Sequence, residues 1–405
     1  VTAATLTPIA EARARVLDAV RPLPAESVPV LEAIDRVLAQ DVIAVGDTPP
    51  FDCSAMDGYA VVAGSAGRRL ALVAESRAGT PSGHTLQAGE AIRISTGAAI
   101  PGGATAVIRQ EDTTLHESGG IVELLQAAPP GNNIRGAGED LRAGTIVLTG
   151  GSRLGPIELG VAVAAGAGEL AVARRPRVSV LTTGDELRAP GEPLAPGEIH
   201  NSNGPMLTGL AARCGGLVGP ARGLPDDLDA TIAGIGDALT HSDVVIISGG
   251  VSVGPHDHVK PALAALGVRE VFWAVALQPG KPTWFGVTDD DRLVFGLPGN
   301  PVSVVVTFSL FVAPALAALQ CAPQPRPPHA QAQLGALVAR NPGRDQMIRV
   351  TLRAAPDGPP VARPTGAQAS HILSSLLDAD ALARIPAGHG HLVPGTLVEL
   401  HALVR

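Results

Sequence analysis

Only two lysines occur in this chain, and each sits beside a glycine-rich turn. The stretch Ile246–Lys260 holds the first. An apolar run, Val244 to Ile247, ends on Gly249-Gly250; Val251, Ser252, Val253, Gly254 and Pro255 follow, then Asp257 and Lys260. A buried strand that runs through glycines into a helix start presents bare backbone N–H groups, and glycine permits both positive φ and close approach of an anion. A phosphorylated small molecule suits that chemistry; a plain tight turn is the other reading of a Gly-Gly pair. The second lysine, Lys281, lies in Pro279-Gly280-Lys281-Pro282. Of the 30 basic residues 28 are arginine, so a surviving lysine points to a need for a compact, mobile point charge.

Carboxylates accompany these turns: Asp185 and Glu186, Asp226 and Asp227, and Asp257. Acids beside phosphate-binding amides suit Mg²⁺, which is commonly held by one or two carboxylates together with substrate phosphates. Helix N-capping is the structural alternative for Asp185 and Asp226. His256 and His258 flank Asp257, a pair that could bind a metal or lie in a solvated turn. Ser252 and Ser303 have no assignable histidine base, and no Gly-x-Ser-x-Gly elbow occurs, so covalent catalysis is not expected.

The elements that must position these residues begin near Arg174. Strand-like Val178–Thr182, Val244–Ile247 and Leu293–Phe295 alternate with helical segments at Asn203–Cys214 and about Asp226–Leu239. That alternation predicts a mostly parallel sheet between two helical layers, with ligands at the carboxyl ends of the strands. The Asp185-Glu186, Gly249-Gly250 and Pro298-Gly299-Asn300-Pro301 turns would then face one cleft, with Ser303 just beyond on the long apolar helix Val302–Leu319. Upstream, Thr7-Pro8 is expected to open a first helix, capped by Thr7, and a second helix is expected over about Val30–Ala39. Short β-like segments from Tyr59 to Leu125 predict a small antiparallel or barrel-like domain inserted over 46–140. The flanks, 1–45 and 141–173, read as an elongated helical unit used in dimerisation; 174–322 is the sheet domain, and a proline-rich linker leads to a C-terminal β-barrel-like domain over 329–405. The fold class is thus multidomain α/β with a central three-layer α/β/α domain.

Bulk properties narrow the function. The chain has 405 residues, 45% hydrophobic and 17% charged, which suits a folded protein of several domains. A net charge of −8 argues against a general nucleic-acid or acidic-membrane binder, while leaving room for an anion in a locally positive pocket. Cys53, Cys214 and Cys321 are scattered, without disulfide or zinc spacing. Glu11, Arg13, Arg15 and Asp18 interrupt the first apolar pattern, which is not that of a signal peptide, and Val302–Leu319, the longest apolar run, suits a buried helix. A cytoplasmic enzyme, with neither nucleic acid nor membrane as partner, is expected.

Five motifs in order resemble the MoeA-type molybdopterin molybdenumtransferases, a family that includes the C-terminal region of gephyrin. They are Phe51 to Ala60 (FDCSAMDGYA), Thr182 to Glu186 (TTGDE), Ser248 to Gly254 (SGGVSVG), Pro279 to Pro282 (PGKP) and Leu297 to Ser303 (LPGNPVS), and the resemblance spans essentially the whole chain. It implies insertion of molybdate into the dithiolene of adenylylated molybdopterin, with Mg²⁺-assisted pyrophosphate cleavage and AMP release. It also implies a homodimer whose active site is shared, with a molybdopterin adenylyltransferase as upstream partner. Carried over by motif, Asp57, Thr96, Arg135 and Asp140 would reach across the dimer. Glu186, Asp226 and Asp257 would be the acids of the sheet-domain cleft and its metal ligands; Gly249, Gly250, Ser252, Gly254, Pro298, Gly299 and Asn300 would line it. Lys281, Ser303, Arg349 and Ser370 would contact oxyanion and phosphate. Two positions depart from the family pattern: Gln278 stands where many relatives have lysine, and Cys53 where Asn, Ser or Arg is common. Lys281, Arg222 or Lys260 could compensate for the lost charge. The competing activities are a molybdopterin adenylyltransferase, which would leave 46–140 and the C-terminal domain without a task, and a gephyrin-like scaffold. Relatives serve molybdenum or tungsten.

Overall fold

The computed structural model of the chain describes residues 6–252, 254 and 257–405. Val253, Pro255 and His256 of the central glycine stretch, and with them the expected His256–His258 pair, lie outside the described residues.

The main sheet of the sheet domain has seven strands. Arg177–Thr183, Leu217–Val218, Arg222–Leu224, Val244–Ser248 and Leu293–Leu297 run parallel; Trp284–Val287 and Arg269–Trp273 complete one edge in antiparallel pairing. Val244–Ser248 and Leu293–Leu297 are buried along their whole length, which is why they read as continuous apolar runs and not as alternating ones. One face is covered by the helix Asn203–Arg213, by the continuous helical run Pro301–Leu319 and by Ile9–Ala19; the other by Leu228–His241 and Val259–Ala265. Five residues of Pro301–Leu319, Phe308–Val312, form a π-turn, and 94% of the run's most apolar window is buried, so it is a core helix.

The first helix therefore packs with the sheet domain through Ile9, Ala12 and Val16, not with the elongated unit as expected. Thr7 does not cap it: Pro8 takes the cap position with no side-chain bond, and Thr7 pairs its backbone with Ala274 and Ala276. The second expected helix is a single 3-10 turn, Val30–Glu32. Asp35 then adopts φ 60°, and Leu38 and Ala39 bond to Ser152 and Ala171, so long-range pairing overrides the helical spacing. Among the described residues the elongated unit holds one α-helix, Pro156–Ala164, beside two short ribbons, Ala25–Pro29 with Glu169–Ala173 and Val42–Ile43 with Ile146–Leu148. It is only partly helical.

The insertion leaves and re-enters at one point, where Thr48 N–H donates to Leu141 O (2.7 Å) and Asp140 N–H to Thr48 O (3.0 Å). Six of its strands form a mixed sheet, because Arg69–Ser76 runs parallel to Glu90–Ile94 while the other pairs are antiparallel, and Cys53–Ser54 pairs with Ile134–Arg135 in a separate ribbon. In the C-terminal region five strands close a barrel: Asp345–Arg353 pairs with both Val361–Pro364 and Ala381–Ile385, and Gln331–Leu334 and Leu397–His401 complete the ring. The short strand Leu277–Gln278 of the sheet domain pairs with Asp345-Gln346 from outside the ring, which seats the barrel beside the sheet.

Candidate functional site

Register brings the glycine turns together. Thr182 lies opposite Ser248, and Ser248 opposite Leu297, so the three parallel strands end level. Thr183 lies opposite Leu224, which brings Pro225 and Asp226 to the same edge. Gly249 and Gly250 have φ of 95° and 66°, and a methyl group on either would lie 2.7 Å from Thr183 Oγ1 or Val259 Cγ2 respectively, so only glycine passes here. Trp273 Nε1 donates to Val251 O (3.0 Å) and holds the turn from beneath, leaving Ser252 exposed.

The acids divide by direction. Asp185 and Asp226 accept each other's backbone N–H, Asp226 N to Asp185 Oδ1 at 3.1 Å and Asp185 N to Asp226 Oδ2 at 3.4 Å. Asp227, not Asp226, caps the helix Leu228–His241, accepting from Ala230 N at 2.8 Å. Glu186 turns toward a different cavity from Asp185. Asp257 accepts from Gly254 N at 2.6 Å and so closes its own turn. Among the described residues no three His, Cys, Asp or Glu side chains converge as a metal cage. Of the expected set Glu186, Asp226 and Asp257, Asp226 lies against Asp185 at neighbouring strand ends, Glu186 faces the adjoining cavity and Asp257 closes its own turn. Two carboxylates at one edge are a donor set that fits Mg²⁺ shared with substrate oxygens.

Two cavities open along this edge and share Asn300. The first, about 650 Å³, is lined by Glu186, Asn203, Ser248, Gly299 and Asn300, with His371 supplied by the barrel. Asn203 was not anticipated from sequence. Its Nδ2 donates to Ser248 Oγ (3.0 Å) and Gly299 O (2.7 Å), tying two turns together, while its buried Oδ1 has no partner among the described residues. The second cavity, about 380 Å³, lies between Gln278–Pro282, Pro298, Asn300 and Ser303 on the sheet side and Arg344, Gln368, Ala369 and Ser370 on the barrel side. Its lining contains Lys281, Arg344 and no carboxylate, so it is built for an anion. Arg344 carried no signal in the sequence; only the seating of the barrel brings it here. A third cavity, about 970 Å³, adjoins Gly184 and Asp185 and runs along the helix Asn203–Arg213.

Arg349 does not contact this space. It is fully buried and bonds to Ser375 Oγ (3.0 Å), Gln368 O (3.1 Å), Ala367 O (3.1 Å) and Ala369 O (3.2 Å). It props the 367–370 loop from behind, which corrects its assignment as an anion contact; burial lowers its pKa to about 10, and it stays charged at neutral pH. Lys260 and Arg222 are engaged elsewhere: Lys260 Nζ sits 3.7 Å above the Trp273 ring, and Arg222 pairs with Asp237 at 3.1 Å. Neither lines the second cavity.

Asp57, Thr96 and Arg135 gather on one exposed edge of the inserted domain. Asp57 Oδ1 accepts from Thr96 N (2.8 Å) and Oγ1 (3.1 Å), and the pairing of Arg135 with buried Cys53 brings the third residue alongside. Asp140 is exposed at the re-entry point. No residue of 46–140 lines the three cavities at the sheet edge.

Comparison with known proteins matches three family models along the chain: the MoeA N-terminal region (domains I and II) over residues 7–166, a probable molybdopterin binding domain over 179–318, and the MoeA C-terminal region (domain IV) over 331–403. The chain is 38% identical over 406 residues to molybdopterin molybdenumtransferase 2 of Mycobacterium tuberculosis, covering 96% of each chain. It is 36% identical over 394 residues to the molybdopterin molybdenumtransferase of Haemophilus influenzae, covering 96% of this chain and 97% of that one. A crystal structure of the molybdopterin biosynthesis MoeA protein from Pyrococcus horikosii superposes with a TM-score of 0.82 at 32% identity, over 99% of this chain and all of that one.

Proposed function

The chain belongs to the MoeA-type molybdopterin molybdenumtransferase family and is a transferase, and on that premise we propose that it inserts molybdate into the dithiolene of adenylylated molybdopterin, releasing AMP, in molybdenum cofactor biosynthesis. The observation that carries this reading is the cation-lined cavity between sheet and barrel, which shares Asn300 as a wall with the cavity that holds Glu186 and Asn203. A tetrahedral oxyanion suits the first, where Lys281 and Arg344 supply charge and Ser303 and Ser370 supply hydroxyl donors. A heterocycle carrying N–H donors suits the second, where Asn203 Oδ1 and Glu186 offer acceptors.

Mg²⁺ is the cation this reading calls for; Asp226 with Asp185 would hold it, and when bound it would offset negative charge on the pyrophosphate oxygens. The chain's own residues hold the two substrates in adjoining spaces and fix the turns between them.

A homodimer completes the site in this reading. Support comes from large apolar side chains left exposed on the elongated unit, Leu31 (82%), Val45 (78%) and Ile157 (77%), an unusual load for a solvent-facing surface. Further support comes from the Asp57–Thr96–Arg135 edge, which faces none of the cavities of its own chain. A molybdopterin adenylyltransferase is the expected source of the substrate.

The test is incubation of the protein with adenylylated molybdopterin, Mg²⁺ and either molybdate or tungstate, following AMP release and cofactor formation. Metal-dependent AMP release coupled to cofactor formation is expected, and the preferred oxyanion is read from the same assay. Lys281→Ala should raise the molybdate concentration needed by at least about 10-fold, the weight of a charge-assisted contact. No AMP release, or an unchanged molybdate requirement in that variant, would reject the reading or the role of Lys281 respectively.

A further inference from the structure

The anion cavity lies on a seam between two domains, so its width depends on what holds the seam. Lys281 belongs to the sheet domain and Arg344 to the barrel. Backbone pairing of Leu277–Gln278 with Asp345-Gln346 seats their turns side by side, and a side-chain bridge adds to it, Asn341 Nδ2 donating to Gln278 Oε1 across the seam at 2.6 Å. Gln278 lies three residues before Lys281, and Asn341 three residues before Arg344.

The chemistry of Asn341 leaves this bridge only one polarity. Its Oδ1 accepts from the backbone N–H of Gly343 (2.9 Å) and of Arg344 (3.1 Å), an Asx-type cap on the turn that carries the arginine. Two N–H donors require an oxygen there, so the amide nitrogen faces the seam and Gln278 must present an acceptor. The backbone of Asn341 is committed as well, its N–H to Gln346 Oε1 (3.0 Å) and its carbonyl to Gly388 N (2.8 Å). Every polar group of Asn341 is thus in use, and the residue cannot shift without moving the Arg344 turn.

We propose that Asn341 is a positioning residue for the oxyanion site. Through Gln278 it locks the barrel turn carrying Arg344 to the sheet turn carrying Lys281, and so sets the spacing of the two cations that receive molybdate. The neutral glutamine serves as the acceptor that this lock requires. A lysine at 278 would add a positive charge beside the cavity but has donors only, and it would face the Asn341 amide donor to donor. The proposal rests on the reading that this cavity takes molybdate.

Charge and lock make opposite predictions for Gln278→Lys, which makes it the deciding variant. With adenylylated molybdopterin saturating, the full chain and its Q278K, Q278A, N341A and Q278A/N341A variants are compared for molybdate KM, kcat and melting temperature. The lock predicts that Q278K and Q278A each raise the molybdate KM by about 3- to 10-fold, the weight of one hydrogen bond, with a smaller fall in kcat. N341A should raise it further, because the Arg344 turn also loses its cap, and the double variant should match N341A alone. A lowered KM in Q278K, additive effects in the double variant, or shifts in melting temperature with KM unmoved would each overturn the lock. Turnover in the unmodified protein with unaltered KM in all variants would overturn it while leaving the proposed function standing; no molybdate use by the unmodified protein would overturn both.

Discussion

Asp185 and Asp226, 41 residues apart, each accept the other's backbone N–H, at 3.1 and 3.4 Å. This reciprocal pair joins the ends of two parallel strands and concentrates negative charge at the sheet's carboxyl edge. Asp226→Asn keeps an oxygen that can accept from Asp185 N–H, so the turn should survive while the charge is lost. Turnover is expected to fall by roughly 10- to 100-fold, with a raised Mg²⁺ requirement and an unchanged circular dichroism spectrum. Turnover at the unmodified rate would remove Asp226 from the mechanism.

Arg349 is expected to matter through the loop it supports. Arg349→Met leaves the carbonyls of Ala367, Gln368 and Ala369 without their donor inside the barrel wall, at a cost of about 2–4 kcal/mol. Urea unfolding measures this directly. Because the same loop presents Ser370 to the anion cavity, the molybdate KM should rise as well. Unaltered unfolding would show that the four hydrogen bonds carry no net weight.

At the opposite edge of the sheet, Asp243 governs acid stability. Burial pushes its carboxyl pKa up, but bonds from Arg174 (2.9 Å to each oxygen) and from Arg177 N–H (2.7 Å) outweigh it, and the net shift is downward. A depressed carboxyl means the unfolded chain binds the proton first. The stabilisation is therefore fully present above the unfolded value near ~3.9, and is lost as pH falls below that through the folded value. Asp243→Asn should lower stability at neutral pH by about 1–3 kcal/mol and narrow its gap to the unmodified protein below about pH 4. Parallel melting curves at every pH would contradict this.

Mixing tests whether the site is shared. On the proposal of a homodimer, the Asp57→Ala and Glu186→Gln variants are each expected to be nearly inactive, since one lesion lies on the inserted domain and the other at the sheet edge. Unfolding and refolding them together should restore about a quarter of the sites, because half of the random dimers combine both lesions in one of their two sites and neither in the other. No recovery, in a sample shown to contain mixed dimers, would place both residues in one subunit's site.

Much of the site was legible because local chemistry decides it. Gly249 and Gly250 sit where positive φ leaves no room for a side chain, and Val244–Ser248 reads as a buried parallel strand because both its faces are apolar. The strands of the inserted domain showed as short apolar runs between Gly and Pro, and the span expected for them, Tyr59 to Leu125, matches that of the observed sheet, Gly58 to Leu124. The segment 30–39 failed for a physical reason: its apolar spacing suits a helix, but Leu38 and Ala39 gain more by pairing with Ser152 and Ala171.

What the sequence by itself determined is the set of turns and the order of strands that carry them, since glycine conformation, apolar runs and caps act within a few residues. Tertiary structure decided which side chains share a space. Arg344 and Lys281 are 63 residues apart and meet only because Leu277–Gln278 pairs with the barrel. Arg349, five residues from Arg344, lies in the continuously buried stretch Met347–Val350 of its strand, where it supports the loop and does not touch the cavity. A strand places neighbouring side chains on opposite faces, and which face meets another domain is settled by packing across the seam.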